Sequence, residues 1–129
     1  MLMKIRVSDK GLRFRLSVNE VEQLHTEGVC TTHLQVTDAV RLSFCIRAVH
    51  EPDVHLSESS AGNIVVLWPK DEIAAWANDA QREGLYVDVQ IAAGNSFNIA
   101  IEKDYACNPE DEKKHPDRFF PRPKSSPSC

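Results

Sequence analysis

The chain has 129 residues, of which 42% are hydrophobic and 26% are charged, values typical of one globular domain with a single core. Its formal net charge of −4 argues against broad nucleic-acid binding, although a local basic surface is compatible with that total. The first residues carry Lys4 and Arg6 and lack the apolar run of a signal peptide, and no stretch approaches the ~20 apolar residues of a membrane helix. We therefore expect a cytoplasmic protein without a membrane segment.

A hairpin is predicted to open the chain, with strands at residues 2–8 and 12–16 and a turn at residues 9–11. Its second strand reads Leu-Arg-Phe-Arg-Leu, an alternation typical of a strand with one buried and one exposed face. The arginines then share the exposed face, and Phe14 points the opposite way.

A helix is predicted to follow this strand and to end at Gly28, which can adopt the left-handed conformation that closes a helix. Ser17 and Glu20 have the spacing of a capping box, in which each side chain bonds to the other residue's backbone N–H. Val21 and Leu24 recur at helical spacing and form the buried side of this helix.

Two more strands are predicted after this helix, and a similar series of strands and a helix then follows. The predicted elements are strands at residues 30–36, 41–49, 54–58 and 64–68, a helix at residues 69–84, and strands at residues 85–91 and 97–101. Pro69 stands where Ser17 stood, and Gly84 is predicted to end the second helix. The residues in step between the two helices are Glu20 with Glu72, Val21 with Ile73, and Leu24 with Trp76.

We therefore predict an α+β domain over residues 1–104, with a mainly antiparallel sheet or curled barrel of about eight strands and two short helices. Its ββαββ halves, residues 1–50 and 53–103, suggest an internal duplication, and chance similarity is the alternative explanation. The core is expected to hold Trp68 and Trp76. It is also expected to hold the apolar faces of the fourth and eighth strands, formed by Leu42, Phe44, Ile46, Phe97, Ile99 and Ile101.

Residues 105–129 read as an irregular, charged and proline-rich tail. The paired aromatics Phe119 and Phe120 are unusual in a bare linker, so we expect Tyr105, Phe119 and Phe120 to dock on the domain or on a partner. Residues 123–129 are expected to stay loose.

Several segments form a recognisable set: Met3-Lys4-Ile5-Arg6, the hairpin strand of residues 12–16 running into Glu20-Val21, and Ile101-Glu102-Lys103-Asp104-Tyr105-Ala106-Cys107 followed by Phe120-Pro121. Together these segments resemble a family of small uncharacterised bacterial proteins. The family pattern is an arginine-rich N-terminal hairpin and a closing Ile-Glu-Lys-Asp-aromatic-x-Cys segment. The resemblance implies a bacterial, cytosolic protein and no particular activity. This chain departs from the pattern in a longer, more basic tail between Cys107 and Phe119.

The cysteine and histidine pattern offers a metal site only as an alternative. Cys30 and Cys45 fall in predicted strands and are expected to be small core residues. Cys107 and His115 could bind a metal or form a nucleophile–base pair, but paired zinc-ligand spacing is missing. The other residues weighed as metal ligands are Asp104, Asp111 and Asp117, and His50 with His55. We expect neither a metal nor a cofactor.

A basic stripe is the candidate binding surface. Its members are Lys4, Arg6, Arg13 and Arg15 from the opening hairpin, which Arg41 and Arg47 of the fourth strand could join. Arginines on one face can bind phosphate or carboxylate groups in bidentate fashion. The alternative is a solvated face whose arginines pair with Glu20, Glu22, Asp88 and Glu102. Single-stranded nucleic acid would require exposed aromatic residues on the same face, and Phe14 points away from it.

Glu102, Lys103 and Asp104 end the last predicted strand, where we expect an exposed end with Glu102 bridging to an arginine. If the strands closed into a barrel, it would resemble the triphosphate tunnel enzymes, whose opening Glu-x-Glu-x-Lys pattern is absent here. The favoured interpretation is a non-enzymatic binding or interaction module that uses the basic stripe for an anionic ligand or protein partner. A homodimer is compatible with this interpretation. The two alternative functions are a phosphate-handling tunnel enzyme and a metal-stabilised interaction module.

Overall fold

The computed structural model describes residues 3–57, 62–90, 94–106, 109–115 and 118–121. The strands are β1 (Lys4–Ser8), β2 (Gly11–Leu16), β3 (Val29–Gln35), β4 (Arg41–Val49), β5 (His55–Ser57), β6 (Asn63–Pro69), β7 (Gly84–Gln90) and β8 (Ser96–Lys103). The helices are α1 (Val18–Glu27), α2 (Lys70–Ala77) and α3 (Pro109–Lys114). Within these ranges, none of the helices has the length and apolar character needed to cross a bilayer.

The strands of the described residues form two separate four-stranded sheets. The first sheet has the order β1-β2-β8-β7, and the second has the order β3-β4-β6-β5. The outer pairs of each sheet are antiparallel, whereas the central pairs, β2 with β8 and β4 with β6, are parallel. The predicted α+β class and mainly antiparallel pairing are confirmed, but the curled-barrel alternative is wrong for the part of the chain that is described.

Both sheets and both longer helices contribute to one hydrophobic core. The predicted core strands supply buried side chains from β4 and β8, including Phe44, Ile46, Ile99 and Ile101. Trp68 and Trp76 are also buried, and each indole N–H has an acceptor: Glu72 Oε2 at 2.9 Å for Trp68 and the Glu83 carbonyl at 3.1 Å for Trp76. Burying aromatic rings of this size with their polar atoms bonded strongly favours the folded state.

Helix α1 begins and ends as the sequence predicts. The Ser17 hydroxyl accepts from the Glu20 backbone N–H at 3.3 Å, and the Glu20 carboxylate accepts from the Ser17 N–H at 2.9 Å. Gly28 closes the helix with a φ of 79°, a left-handed conformation that glycine adopts without strain. The two caps therefore satisfy backbone groups at both ends of α1. Val21 and Leu24 of this helix are buried.

Helix α2 ends earlier than predicted, at Ala77 with Asn78 as its C-cap, instead of at Gly84. The Asn78 side chain donates to the Ala74 carbonyl at 2.9 Å and satisfies the end of the helix. Gly84 instead starts β7, where a side-chain Cβ would lie only 2.9 Å from the Ile101 carbonyl oxygen. This glycine serves close packing against β8 and not helix termination.

The C-terminal segment, predicted to be irregular, contains the short helix α3, which begins at Pro109. Proline suits the first helical position because its missing N–H is not needed there. Beyond this helix the chain returns to the domain: Tyr105 pairs with Phe120, and the Arg118 carbonyl accepts from the Val18 N–H at 3.0 Å. The tail thus covers the start of α1, whereas residues 123–129, expected to be loose, lie outside the described residues.

The two predicted halves have equivalent places in the fold. Exchanging β1–β2–α1–β3–β4 with β5–β6–α2–β7–β8 converts the strand order of one sheet into that of the other. The second half differs in its longer connection, residues 78–83, between helix and strand. Common origin by duplication stays a prediction, which this equivalence supports.

Candidate functional site

The β1–β2 hairpin brings together the four predicted cations of the opening strands, here called the basic face: Lys4, Arg6, Arg13 and Arg15. Lys4 lies opposite Arg15, and Arg6 lies opposite Arg13. All four are exposed. Side chains directly opposite each other in an antiparallel pair have Cβ atoms about 4.5–5.5 Å apart, so the cationic groups can converge on one ligand.

The register of this hairpin follows from burial on the other side of β2. Leu12, Phe14 and Leu16 are buried in the core, with Phe14 and Leu16 completely inaccessible. Because a shift of one residue would expose this apolar set and bury the arginines, the alternation fixes which face is basic. The sequence therefore determines the basic face through the core behind it.

Arg41 and Arg47 do not extend the basic face. Both are exposed, but they lie on β4 of the second sheet, where Arg41 pairs with Gln35 and Arg47 with Val29. The prediction failed here because strand neighbours cannot be read from the alternation of a single strand.

Two acidic residues form salt bridges with two of the four cations of the basic face. Arg13 Nε lies 3.1 Å from Glu102 Oε1, and Lys4 Nζ lies 3.1 Å from Asp104 Oδ2. Arg6 and Arg15 form no salt bridge among the described residues, although Arg15 lies opposite Glu102 in the β2–β8 register.

Of the acids predicted to pair with the arginines, Glu102 does so. Glu20 is instead engaged in the cap of α1. Asp88 accepts from the Asn98 side chain at 3.1 Å. Glu22 forms no salt bridge within the described ranges.

Two shallow depressions flank Arg6 and Arg13. One has a volume of ≈ 180 Å³ and is lined by Lys4, Ile5, Arg6, Arg13 and Arg15. The other has a volume of ≈ 320 Å³ and is lined by Arg6, Ser8, Lys10, Gly11, Leu12, Arg13 and Asn98. Lys10, in the turn between the strands, adds a cation that the sequence reasoning did not include.

The end of β8 is buried, contrary to the exposed strand end that was predicted. Glu102, Lys103 and Asp104 are only 7%, 3% and 4% exposed. Lys103 Nζ donates to the Asp79 carbonyl at 2.7 Å and lies over the rings of Trp76 and Phe120. Burial lowers the pKa of Lys103, and the charge of Asp79 opposes that shift. The end of β8 is buried because the tail docks on it, and the pattern of β8 alone does not predict this contact.

The tunnel-enzyme alternative depended on charged groups inside a closed barrel. In the described part of the chain the sheets are separate, and the basic face is exposed on the first of them. That arrangement removes the structural basis of the alternative.

The tail candidates lie close to one end of the basic face. The Phe119 ring is 5.6 Å from Lys4 Nζ and 6.2 Å from the His115 ring. Tyr105 stacks edge-on against Phe120 at 6.3 Å, and burial raises the pKa of Tyr105 to about 12. The tail therefore contributes packing and cation–π contacts at this end of the hairpin.

Among the described residues, no group of three or more His, Cys, Asp or Glu side chains could hold a metal ion, so the metal alternative has no support there. His50, His55 and His115 are exposed. Cys107, Asp117 and the side chain of Asp111 lie outside the described residues. Cys30 and Cys45 are free, buried thiols, as predicted.

Tyr86 is a residue of this surface that the sequence reasoning missed. It lies on β7, opposite Ala100, in the same cross-strand row as Arg13 and Arg6. Its hydroxyl donates to Glu102 Oε2 at 2.8 Å, and the residue is 53% exposed. The alternation of residues 85–91 places Tyr86 on an exposed strand face, but the sequence does not reveal that β7 and the hairpin share a sheet.

The chain belongs to a family of unknown function, DUF7009, whose model matches residues 3–124. This agrees with the expected membership of an uncharacterised family that spans nearly the whole chain. No curated protein matches the chain, and no solved structure matches it.

Proposed function

We propose that this protein is a non-enzymatic binding module whose basic face takes an anionic ligand or partner. The proposal includes the bacterial origin and cytoplasmic location inferred from the sequence. The observation that carries it is the direct opposition of like charges, Lys4 with Arg15 and Arg6 with Arg13, on one exposed hairpin face.

Like charges directly opposite each other destabilise a sheet, so this arrangement has a cost in stability. Glu102 and Asp104 offset it for Arg13 and Lys4 through salt bridges, whereas Arg6 and Arg15 form no salt bridge among the described residues. A bound phosphate or carboxylate would supply the missing negative charge, and guanidinium groups bind such anions through paired N–H donors. Ligand binding thus accounts for charges that folding alone does not favour.

The test is a pair of matched double variants. Arg6→Glu with Arg15→Glu reverses the two unpaired charges and leaves the Arg13–Glu102 and Lys4–Asp104 pairs intact. Arg41→Glu with Arg47→Glu makes the same change in net charge on the second sheet. Retention on a phosphocellulose column is expected to be lost in the first variant and kept in the control.

Stability is expected to change in the opposite direction from binding. Within the hairpin, the first variant converts both like-charge pairs into opposite-charge pairs, each worth roughly 0.2–1 kcal/mol. A glutamate at position 15 also lies opposite Glu102 on β8, which offsets one of these gains, so the free energy of unfolding should rise by roughly 0.2–1 kcal/mol in total. If the cations serve only to prevent strand pairing at the exposed edge of β1, the two variants will elute alike. That result would contradict the proposed function.

A further inference from the structure

The outward side of the first sheet carries cations at one edge and an aromatic ring near the other. One cross-strand row runs from Arg6 through Arg13 and Ala100 to Tyr86. At about 4.8 Å between strands, the backbone of Tyr86 lies roughly 10 Å from that of Arg13 and roughly 14 Å from that of Arg6. Ala100, between the two kinds of group, is completely inaccessible and therefore covered by its neighbours.

The Tyr86 ring is held along its own strand, over Gly84. A Cβ at Gly84 would lie 2.8 Å from the Tyr86 hydroxyl oxygen and 2.9 Å from Cζ, so the ring occupies the space that a side chain there would fill. The hydroxyl donates to Glu102 Oε2 at 2.8 Å, and the other oxygen of Glu102 lies 3.1 Å from Arg13 Nε. Glu102 therefore fixes the positions of Tyr86 and Arg13 together.

The ring is exposed although its hydroxyl is bound. Tyr86 retains 53% of its accessible surface, which makes it one of the most exposed large hydrophobic side chains among the described residues. Burial of the hydroxyl, its hydrogen bond to Glu102 and the nearby negative charge raise the pKa of Tyr86. The phenol thus stays neutral and adds no negative charge to the surface.

We propose that this side of the first sheet binds single-stranded nucleic acid, with a base stacked on Tyr86 and the phosphates along the basic face. The inference rests on the proposed function and names its ligand. Aromatic platforms beside cationic grooves are the usual means of binding single strands, because every base has a face that can stack. A four-stranded sheet that presents such a ring is a known geometry for RNA.

The shape of the surface favours a strand over a free nucleotide. Small-molecule sites are clefts that enclose most of the ligand. Here the two depressions are shallow and share Arg6 and Arg13, so that together they form a track along the hairpin. Successive phosphates of one strand can occupy such a track.

The local charge also differs from the charge of the whole chain. The net charge of −4 led the sequence reasoning to argue against nucleic acid. The hairpin surface nevertheless carries Lys4, Arg6, Lys10, Arg13 and Arg15, of which two are paired with acids. Electrostatic attraction to a phosphate backbone depends on this local field.

The test measures fluorescence anisotropy of a labelled oligothymidine of about 10 nucleotides, within the range of known single-strand sites. Tyr86→Ala is expected to weaken binding about 5- to 150-fold, the range for loss of one stacked base, and Tyr86→Phe to retain most of the affinity. Arg6→Ser should lower the slope of log affinity against log salt by about 0.7, as expected for one lost phosphate contact. Melting temperatures of the variants control for folding.

Inorganic polyphosphate and thymidine monophosphate are the comparison ligands. Polyphosphate binding should be unaffected by Tyr86→Ala, and the mononucleotide should bind much more weakly than the oligonucleotide. If Tyr86→Ala leaves oligonucleotide binding unchanged, or if the mononucleotide binds equally well, the inference is overturned while the proposed anion binding stands. If neither polyphosphate nor oligonucleotide binds, both fail.

Discussion

Cys30 shows how the core controls the chemistry of a single residue. The thiol is 3% exposed on β3, with its backbone opposite Ile46. Burial, with smaller effects from Glu20 and Cys45, raises the pKa of Cys30 from 9.0 to about 12. The folded protein therefore keeps this thiol neutral under conditions in which the unfolded chain ionises it.

Stability should fall at alkaline pH because of this residue. A folded pKa above the unfolded one gives a contribution that is complete below about pH 9 and is lost as the pH rises toward 12. Within that window the slope approaches about 1.4 kcal/mol per pH unit. Urea unfolding of the wild type and of Cys30→Ala, from about pH 8 to about pH 11, measures it. Parallel pH profiles for the two proteins would contradict the assignment.

Single residues were predictable from sequence where their interactions are local. Ser17, Glu20 and Gly28 were assigned correctly because a helix cap involves neighbours a few residues apart. Lys103 was not, because its burial depends on Phe120 of the tail and on the Asp79 carbonyl. The sequence order gives no distance between these groups.

At the scale of elements, the docked tail is the feature that adds most to the domain. Phe120 packs against the hydrophobic core, and its N–H donates to the Asp104 carbonyl at 2.9 Å. It also covers one side of the Lys103 ammonium. The contact links the end of β8 to the chain beyond α3.

Phe120→Ala is expected to lower the free energy of unfolding by about 1–3 kcal/mol, less than full burial of a phenylalanine would give, because the ring is half-buried. Phe119→Ala is the matched control, since Phe119 contacts Lys4 and Arg118 outside the core and should cost about 0.5–1 kcal/mol. Urea unfolding compares the two variants. Equal losses would mean that the tail is not anchored through Phe120.

Element type was more predictable than element ends and neighbours. The eight strands and two longer helices found in the described part of the chain were all expected, because periodicity of apolar residues is a local signal. The end of α2 was misplaced at Gly84, a glycine that serves the approach of β8. The parallel pairing of β2 with β8 joins opposite ends of the chain, and no turn signal marks such a contact.

At the scale of the whole molecule, the interleaving of the halves creates the candidate site. Because β8 and β7 join the opening hairpin in one sheet, Glu102 and Tyr86 of the second half complete the basic face of the first. The sequence identified the four hairpin cations from alternation alone. The sequence does not show that Tyr86 lies beside these cations or that Arg41 and Arg47 lie on the other sheet, because both facts depend on which strands pair.

The most direct test of the central claim is an NMR titration of the ¹⁵N-labelled protein with inorganic pyrophosphate. Anion binding at the basic face predicts that the side-chain Nε resonances of Arg6 and Arg15 shift and saturate together, while those of Arg41 and Arg47 stay in place. Equal shifts at both pairs of arginines, or no shifts at Arg6 and Arg15, would contradict it.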